Sequence, residues 1–187
     1  MNKKYKNILI KGKKIYLRSL TMGDVNKQYL SWLDDKENSR YTLTVLKSTM
    51  TSLKNYVYKK IKNPNIFFFA IIDIQSKTHV GNIKLGPIDW QKKKANFGRL
   101  IGHKDFKGKG YGTEAVKLIL KFSFKTLKLR KVHAGCVKSN IGAIKSNKRN
   151  GMKIEIRKKK ELIKNKYYEV VILGILKKDW KKINKHI

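Results

Sequence analysis

Residues 98–124 constrain this chain more than any other stretch. They open as an extended, partly apolar run, Gly98-Arg99-Leu100-Ile101-Gly102. They pass through a turn in which Gly108, Gly110 and Gly112 recur at every second position beside Lys104, Lys107 and Lys109. They continue without a breaker into Glu114-Ala115-Val116-Lys117-Leu118-Ile119-Leu120-Lys121-Phe122-Ser123-Phe124, whose apolar positions have helical spacing. A strand, a basic glycine turn and a helix, in that order, offer unpaired backbone N–H groups to a phosphate. Glycine lets the main chain approach an anion that a side chain would hold away. The helix dipole and the lysines favour negative charge at the same place.

The common phosphate motifs fit poorly. No Gly-x-x-x-x-Gly-Lys-Ser/Thr occurs, so the nucleotide-triphosphatase reading fails. Gly108-x-Gly110-x-Gly112 departs from the dinucleotide fingerprint, because Thr113 occupies the place of its third glycine. The spacing resembles instead the acetyl-CoA loop of the GNAT acetyltransferase superfamily, Gln/Arg-x-x-Gly-x-Gly/Ala. Here it reads Lys107-Gly108-Lys109-Gly110-Tyr111-Gly112, with Lys107 replacing the usual Arg or Gln. The run Lys109-Gly110-Tyr111-Gly112-Thr113-Glu114-Ala115 is similar to the branch containing the ribosomal-protein N-terminal acetyltransferases, the RimJ/RimL-like branch.

A chain of 187 residues with 41% hydrophobic content suits one domain over residues 1–187, with enough apolar surface for a core. No apolar run approaches the roughly 20 residues that span a bilayer. The apolar run near the start is too short for a secretory leader. One cysteine, Cys136, excludes an internal disulfide, and with four scattered histidines it makes no metal-ligand cluster. A cytoplasmic location is expected. The formal charge is +34, and only six of the 46 basic residues are arginine. Lysine, asparagine and isoleucine enrichment is what an AT-rich genome produces. The functional reading of the charge is an acidic partner: coenzyme phosphates, a nucleotide-linked substrate or RNA.

Taken in order, residues 15–20 read as a first strand. Thr21-Met22-Gly23-Asp24 is a helix-start signal leading into a helix over residues 25–33. Ser48 or Thr51 is expected to cap a second helix ending near Lys62, before Asn63-Pro64-Asn65. Residues 66–74 read as a strand buried on both faces, residues 79–86 as the next strand, and residues 95–102 as the strand feeding the glycine turn. After the helix come a strand over residues 131–137 and a helix opened by Asn140 and stopped by Gly151. A final strand pair and Trp180 close the series. The order is similar to the family over roughly residues 14–180.

The resemblance implies the GNAT fold, of α/β (α+β) class: a mixed, curved sheet of about seven strands with helices on both faces. Its two central strands splay apart, and acetyl-CoA lies between them. Leu100, Ile101 and Gly102 would pair with the pantetheine as an added strand would. Lys107, Gly108, Lys109, Gly110, Tyr111 and Gly112 would hold the pyrophosphate, and Asn140 the pantetheine amide. The reaction implied is direct attack of a neutral amine on the thioester, with no metal. Asn147 stands where the family often has a tyrosine acid. An asparagine there can donate a hydrogen bond to the thiolate but cannot give a proton. Asp89 is the carboxylate to test as a base acting through water, against its reading as a turn cap. Glu114 reads as a first-turn helix carboxylate, and Cys136 as a small buried residue.

Three functions remain open from the sequence. One is acetyl transfer to a small primary amine, such as an amino-sugar nucleotide. This is suggested by the resemblance of Gly81-Asn82-Ile83-Lys84-Leu85-Gly86-Pro87-Ile88-Asp89-Trp90 to amino-sugar acetyltransferases of that branch. The second is acetylation of a protein N-terminus, with ribosome-related polyanion binding. The third is non-enzymatic nucleic-acid binding, which rests on charge alone. A monomer and a dimer fit the sequence equally.

Overall fold

The computed structural model describes residues 7–41, 49–163 and 166–185. Among the described residues, eight strands form one sheet in the order β1-β2-β3-β4-β5-β6-β8-β7. These are β1 (Leu9–Lys11), β2 (Ile15–Ser19), β3 (Phe67–Asp73), β4 (His79–Asp89), β5 (Lys94–Ile101), β6 (Lys131–Val137), β7 (Lys153–Ile163) and β8 (Lys166–Leu176). Every neighbouring pair is antiparallel except β5 and β6, which run parallel.

The sheet has one strand more than expected. β1 is three residues long and adds to β2 through Leu9↔Arg18, Ile10↔Leu17 and Lys11↔Tyr16. So short a strand exists only because β2 offers an edge, and it leaves no periodic signal of its own. β4 also runs past Pro87 to Asp89. Its register with β5 shifts between Leu85 and Ile88, and Gly86 there has φ +117°. A bulge is a place where a strand tolerates proline.

Among the described residues, six helices cover the two faces. α1 (Lys27–Asp34), α2 (Lys36–Tyr41) and α3 (Met50–Lys62) precede the central strands, and α4 (Tyr111–Lys121), α5 (Ile141–Arg149) and α6 (Lys177–Ile183) follow them. α1 begins later than expected. Residues 22–24 make a separate 3-10 turn, and the Asn26 side chain caps α1 by accepting from the Tyr29 amide at 2.9 Å. Asp24 closes a capping box on that turn, accepting from the Thr21 amide at 2.8 Å, and is also held by Arg18, whose guanidinium donates to both of its carboxylate oxygens. Burial pushes the Asp24 carboxyl up, but the hydrogen bonds from Arg18 and Thr21 outweigh it and hold the group below the usual carboxylate range. Thr49 caps α3 through the Ser52 amide, and Ser48 lies outside the described residues.

Two cores result. On one face, α4 and Trp180 of α6 bury Ile71, Ile83, Leu85, Phe97, Ile119 and Leu173. On the other, α1 and α3 set Tyr29, Trp32, Leu53 and Val57 against Phe68, Ala70 and Ile72. Each buried Val, Leu, Ile or Phe among these contributes about 1.5–3 kcal/mol. α4 springs from the end of β5 and packs over β2, β4 and β5. That placement fixes the glycine turn beside the sheet's parallel seam.

Candidate active site

β5 and β6 are paired only from Lys94↔Lys131 to Phe97↔Ala134. Beyond Phe97, β5 keeps its partner β4, while β6 continues along β8. The two strands therefore part at Gly98. The Gly102 amide donates to the Val80 carbonyl at 3.0 Å. In an antiparallel ladder, groups facing the partner and groups facing away alternate. The main-chain groups of Gly98 and Leu100 thus face β4, and those of Arg99 and Ile101 face the gap.

A cleft of about 550 Å³ passes through this gap. On the α4/α5 face it is lined by Arg99, Ile101, Gly108, Gly110 and residues 111–113, and by Asn140 and Asn147 of the α5 region. On the α1/α3 face it is lined by Tyr29, Tyr41, Tyr56, Phe68, Asn82 and Lys84.

The start of α4 is bare. Gly110 occupies its N-cap with φ +89°, no side chain caps it, and the first intrahelical bond runs from the Glu114 amide to the Gly110 carbonyl. The amides of Tyr111, Gly112 and Thr113 therefore have no intrahelical acceptor, and the dipole concentrates positive potential on them. Gly108 also lies at positive φ, +74°. A Cβ at either glycine would meet no atom within 4 Å, so backbone conformation, not crowding, calls for glycine there.

Neighbours hold this turn in place. Tyr111 Oη donates to Asp73 Oδ1 at 2.8 Å, and Phe106 meets the Tyr111 ring edge-on at 5.1 Å. Glu114 turns away from the cleft and accepts the main-chain amides of Lys13 and Lys14. It ties the β1–β2 turn to the helix. Glu114→Ala leaves those amides without their acceptor. We expect a loss of about 1–2 kcal/mol, read as a melting temperature lower by about 2–8 °C, with coenzyme affinity unchanged within twofold.

The structure brings most of the expected coenzyme residues together. Leu100, Ile101, Lys107, Gly108, Gly110, Tyr111, Gly112 and Asn140 all line the cleft. Asn140 also caps α5, its Oδ1 accepting from the Ala143 amide at 3.0 Å.

Four residues sit differently from expectation. Gly102 is buried outside the cleft: its amide is used by Val80, and a Cβ there would fall 2.1 Å from the Trp32 ring. Its small size serves the packing of α1 against the sheet. Lys109 also lies outside, in a shallow hollow with Lys13 and Lys14. Lys107 lines the cleft, but its ammonium reaches Glu37 Oε2 at 2.7 Å and Asp35 Oδ1 at 3.8 Å. Asp89 stands at the end of β4 outside the cleft lining, with Oδ1 accepting from the Lys92 amide at 2.8 Å. That is the turn-cap geometry, far from what a base in the cleft requires.

Asn147 is fully buried. Its Oδ1 accepts from Arg99 Nη1 at 2.7 Å and its Nδ2 donates to Cys136 Sγ at 3.3 Å. Arg99 was not legible as a site residue. It shares a face with Ile101, crosses beneath Gly112 and reaches the Ala143 carbonyl at 3.5 Å. Among the described residues no carboxylate pairs with it. Burial pulls its guanidinium down to about 10, so it stays cationic at neutral pH. Burial also pushes the Cys136 thiol up despite Arg99 and Asn147, which keeps it protonated and a poor nucleophile.

Strands that part beside an uncapped, glycine-opened helix leave a slot suited to an extended ligand with an anionic end. The family model described as Acetyltransferase (GNAT) domain matches residues 14–153, and the chain belongs to the GNAT acetyltransferase family. It is 24% identical over 182 residues to "Probable N-acetyltransferase YjcK" of Bacillus subtilis (strain 168), covering 91% of this chain and 98% of the relative. In fold it is similar to a GNAT-family acetyltransferase from Bacillus anthracis, with TM-score 0.80, 23% identity, and 91% and 99% of the two chains covered. It is similar as well to a spermidine N-acetyltransferase from Vibrio cholerae solved in complex with CoA and spermine. There the TM-score is 0.80 and identity 22%, over 90% of this chain and 99% of that one. The chain is thus an acyltransferase whose donor is acetyl-CoA. Among the described residues no helix is long and apolar enough to cross a membrane, and no group of His, Cys, Asp and Glu could hold a metal ion.

Proposed function

We propose that this chain is a RimJ/RimL-like N-acetyltransferase that moves the acetyl group of acetyl-CoA to the primary amine of a small molecule, an amino-sugar nucleotide being the acceptor we favour. One observation carries the reading: a single cleft joins the bare start of α4 on one face of the sheet to a tyrosine-lined hollow on the other. Donor and acceptor can meet in the gap between β5 and β6 without a covalent enzyme intermediate.

The amides of residues 110–113 hold the diphosphate, and the outward main-chain groups of Arg99 and Ile101 hold the pantetheine arm. The free-base amine attacks the thioester carbon. An N–C bond forms, the C–S bond breaks, the nitrogen gives up a proton to water, and the departing thiolate takes one from water. An N–H in the gap polarises the carbonyl; a donor of this kind is worth about 3 kcal/mol. Asn147 acts by holding Arg99, whose positive charge faces the developing thiolate. Glu37 is the carboxylate lining the cleft among the described residues, and Lys107 already engages it. The amine therefore arrives deprotonated from solution. The single cysteine and the thioester donor suit a cytoplasmic enzyme.

Free-thiol release across a panel of amines, at near-physiological salt, tests this. Turnover with a small amine and no label transfer to lysate proteins is the expected outcome. Label appearing in proteins would favour the second reading, N-terminal acetylation, to which the +34 charge would lend affinity for a ribosome-associated substrate.

A further inference from the structure

We infer that Asn82 and Lys84 form a subsite for an anionic oxygen group, so that the acceptor is an amine that also carries a carboxylate or a phosphoryl group. The inference rests on the acetyl-transfer reading and names its substrate class.

Residues two apart on a strand share a face. Asn82 and Lys84 of β4 both line the cleft on its α1/α3 side. Their partners on β5 are Leu100 and Gly98, the residues at which the strands part. Gly98 has no side chain to cover Lys84. The pair therefore stands beside the gap where the acetyl group is delivered.

Asn82 is 4% exposed, yet its Nδ2 has no hydrogen-bond partner. The orientation of its amide follows from its neighbour. His79 Nε2 lies 3.0 Å from the Gly81 carbonyl and 2.9 Å from Asn82 Oδ1. A carbonyl only accepts, so Nε2 carries the proton and Asn82 must turn its oxygen toward it. Two N–H groups are left without a partner. A buried donor left unpaired is costly, which is a reason to expect a ligand atom there.

Lys84 Nζ donates to Tyr56 Oη at 3.0 Å and lies 5.4 Å from the centre of that ring. No carboxylate pairs with it among the described residues. Two of its N–H groups remain, and the Tyr56 hydroxyl, having accepted from Lys84, keeps its own proton to give. Asn82, Lys84 and Tyr56 thus present donors only. A group that only accepts, and is negative, satisfies all three.

The same arrangement disfavours a polyamine. A second ammonium would meet Lys84, and the carboxylate in reach, Glu37, is held by Lys107.

The test compares matched amines with the whole chain. Glucosamine 6-phosphate is set against glucosamine, and serine against serinamide, with spermidine as the polyamine arm. Thiol release gives kcat/KM, and calorimetry with the CoA-saturated protein gives binding without turnover. Within the preferred pair the anionic member should be better by about tenfold or more. Lys84→Met and Asn82→Asp should each remove about tenfold of that preference, leaving the neutral member and acetyl-CoA affinity within twofold. Asn82→Asp keeps the oxygen that His79 binds and replaces the free donor by a negative charge. The arm that responds, phosphoryl or carboxylate, identifies the group. Equal rates for charged and neutral partners, or variants that slow both alike, would overturn the subsite while leaving acetyl transfer standing. Lys84-dependent binding without thiol release would keep the subsite and overturn acetyl transfer. Absence of binding by every anionic amine would overturn the subsite as well.

Discussion

Gly110→Asp should abolish coenzyme binding while leaving the fold intact. The reasoning starts from the helix start. Gly110 lies at φ +89° and is followed by three amides with no intrahelical acceptor. A carboxylate at that N-cap would satisfy those amides from within, as capping aspartates do, and place a negative charge where the diphosphate must sit. Charge-assisted hydrogen bonds are worth about 1.5–3 kcal/mol each, so exchanging attraction for repulsion should weaken acetyl-CoA by at least about 100-fold. The cost to stability is smaller. A Cβ at residue 110 meets nothing within 4 Å. Positive φ costs an L-residue about 1–2 kcal/mol, and aspartate is among the residues that tolerate it best. Gly110→Ala carries the same backbone strain without the charge, and should lose far less affinity. Calorimetry with acetyl-CoA, paired with a thermal melt, reads both quantities. Unchanged affinity in Gly110→Asp would mean that the diphosphate sits elsewhere. A melt lost in both variants would make residue 110 structural.

Features written in consecutive residues were legible in the sequence. The glycine turn, the Asn140 cap and the Gly151 stop each need only their own few neighbours, and all three stand where expected. β6 was also readable, because its alternation of buried and half-buried residues is a period-two signal. Features that depend on a distant partner were not. β1 exists through β2, and the role of Gly102 depends on Trp32, seventy residues earlier in the chain. Asp24 caps the 3-10 turn as its position suggests, but its pairing with Arg18 across β2 could not be read from neighbouring residues. Asp89 carried two readings, a base acting through water and a turn cap, and its carboxylate accepts from the Lys92 amide three residues on. Asn82 and Lys84 are ordinary strand residues in the sequence. Their chemistry appears only where β5 leaves β6, with Gly98 leaving Lys84 uncovered and Asn82 buried beside it with an unused donor.

Arg99 carries the second large effect, and it should separate activity from stability. Its side chain is half-buried, and among the described residues its guanidinium has neutral partners: Asn147 Oδ1, the Ala143 carbonyl and the nearby Cys136 thiol. Burial lowers its pKa from the ordinary guanidinium value to about 10, against a smaller opposing effect of Cys136. The sign follows directly. Between those two values the unfolded chain binds the proton more tightly than the folded one, so folded stability rises with pH through that window. Below it, at neutral pH, the cost of a partly desolvated cation is present. A residue that destabilises the empty fold in this way can be offset when a negative charge develops beside it, which the leaving thiolate provides. Arg99→Met keeps the length and apolar stem of the side chain while removing the charge. Its melting temperature should equal or exceed that of the parent, because the lost hydrogen bond to Asn147 is outweighed by the relieved desolvation. Its kcat should fall by about 10–100-fold, and its acetyl-CoA dissociation constant should change by less than about threefold. Weakened binding with unchanged kcat would move the charge from the thiolate to the diphosphate. A melting temperature lower by more than about 8 °C would make Arg99 a support of the fold, its cation stabilised by partners that burial alone does not reveal.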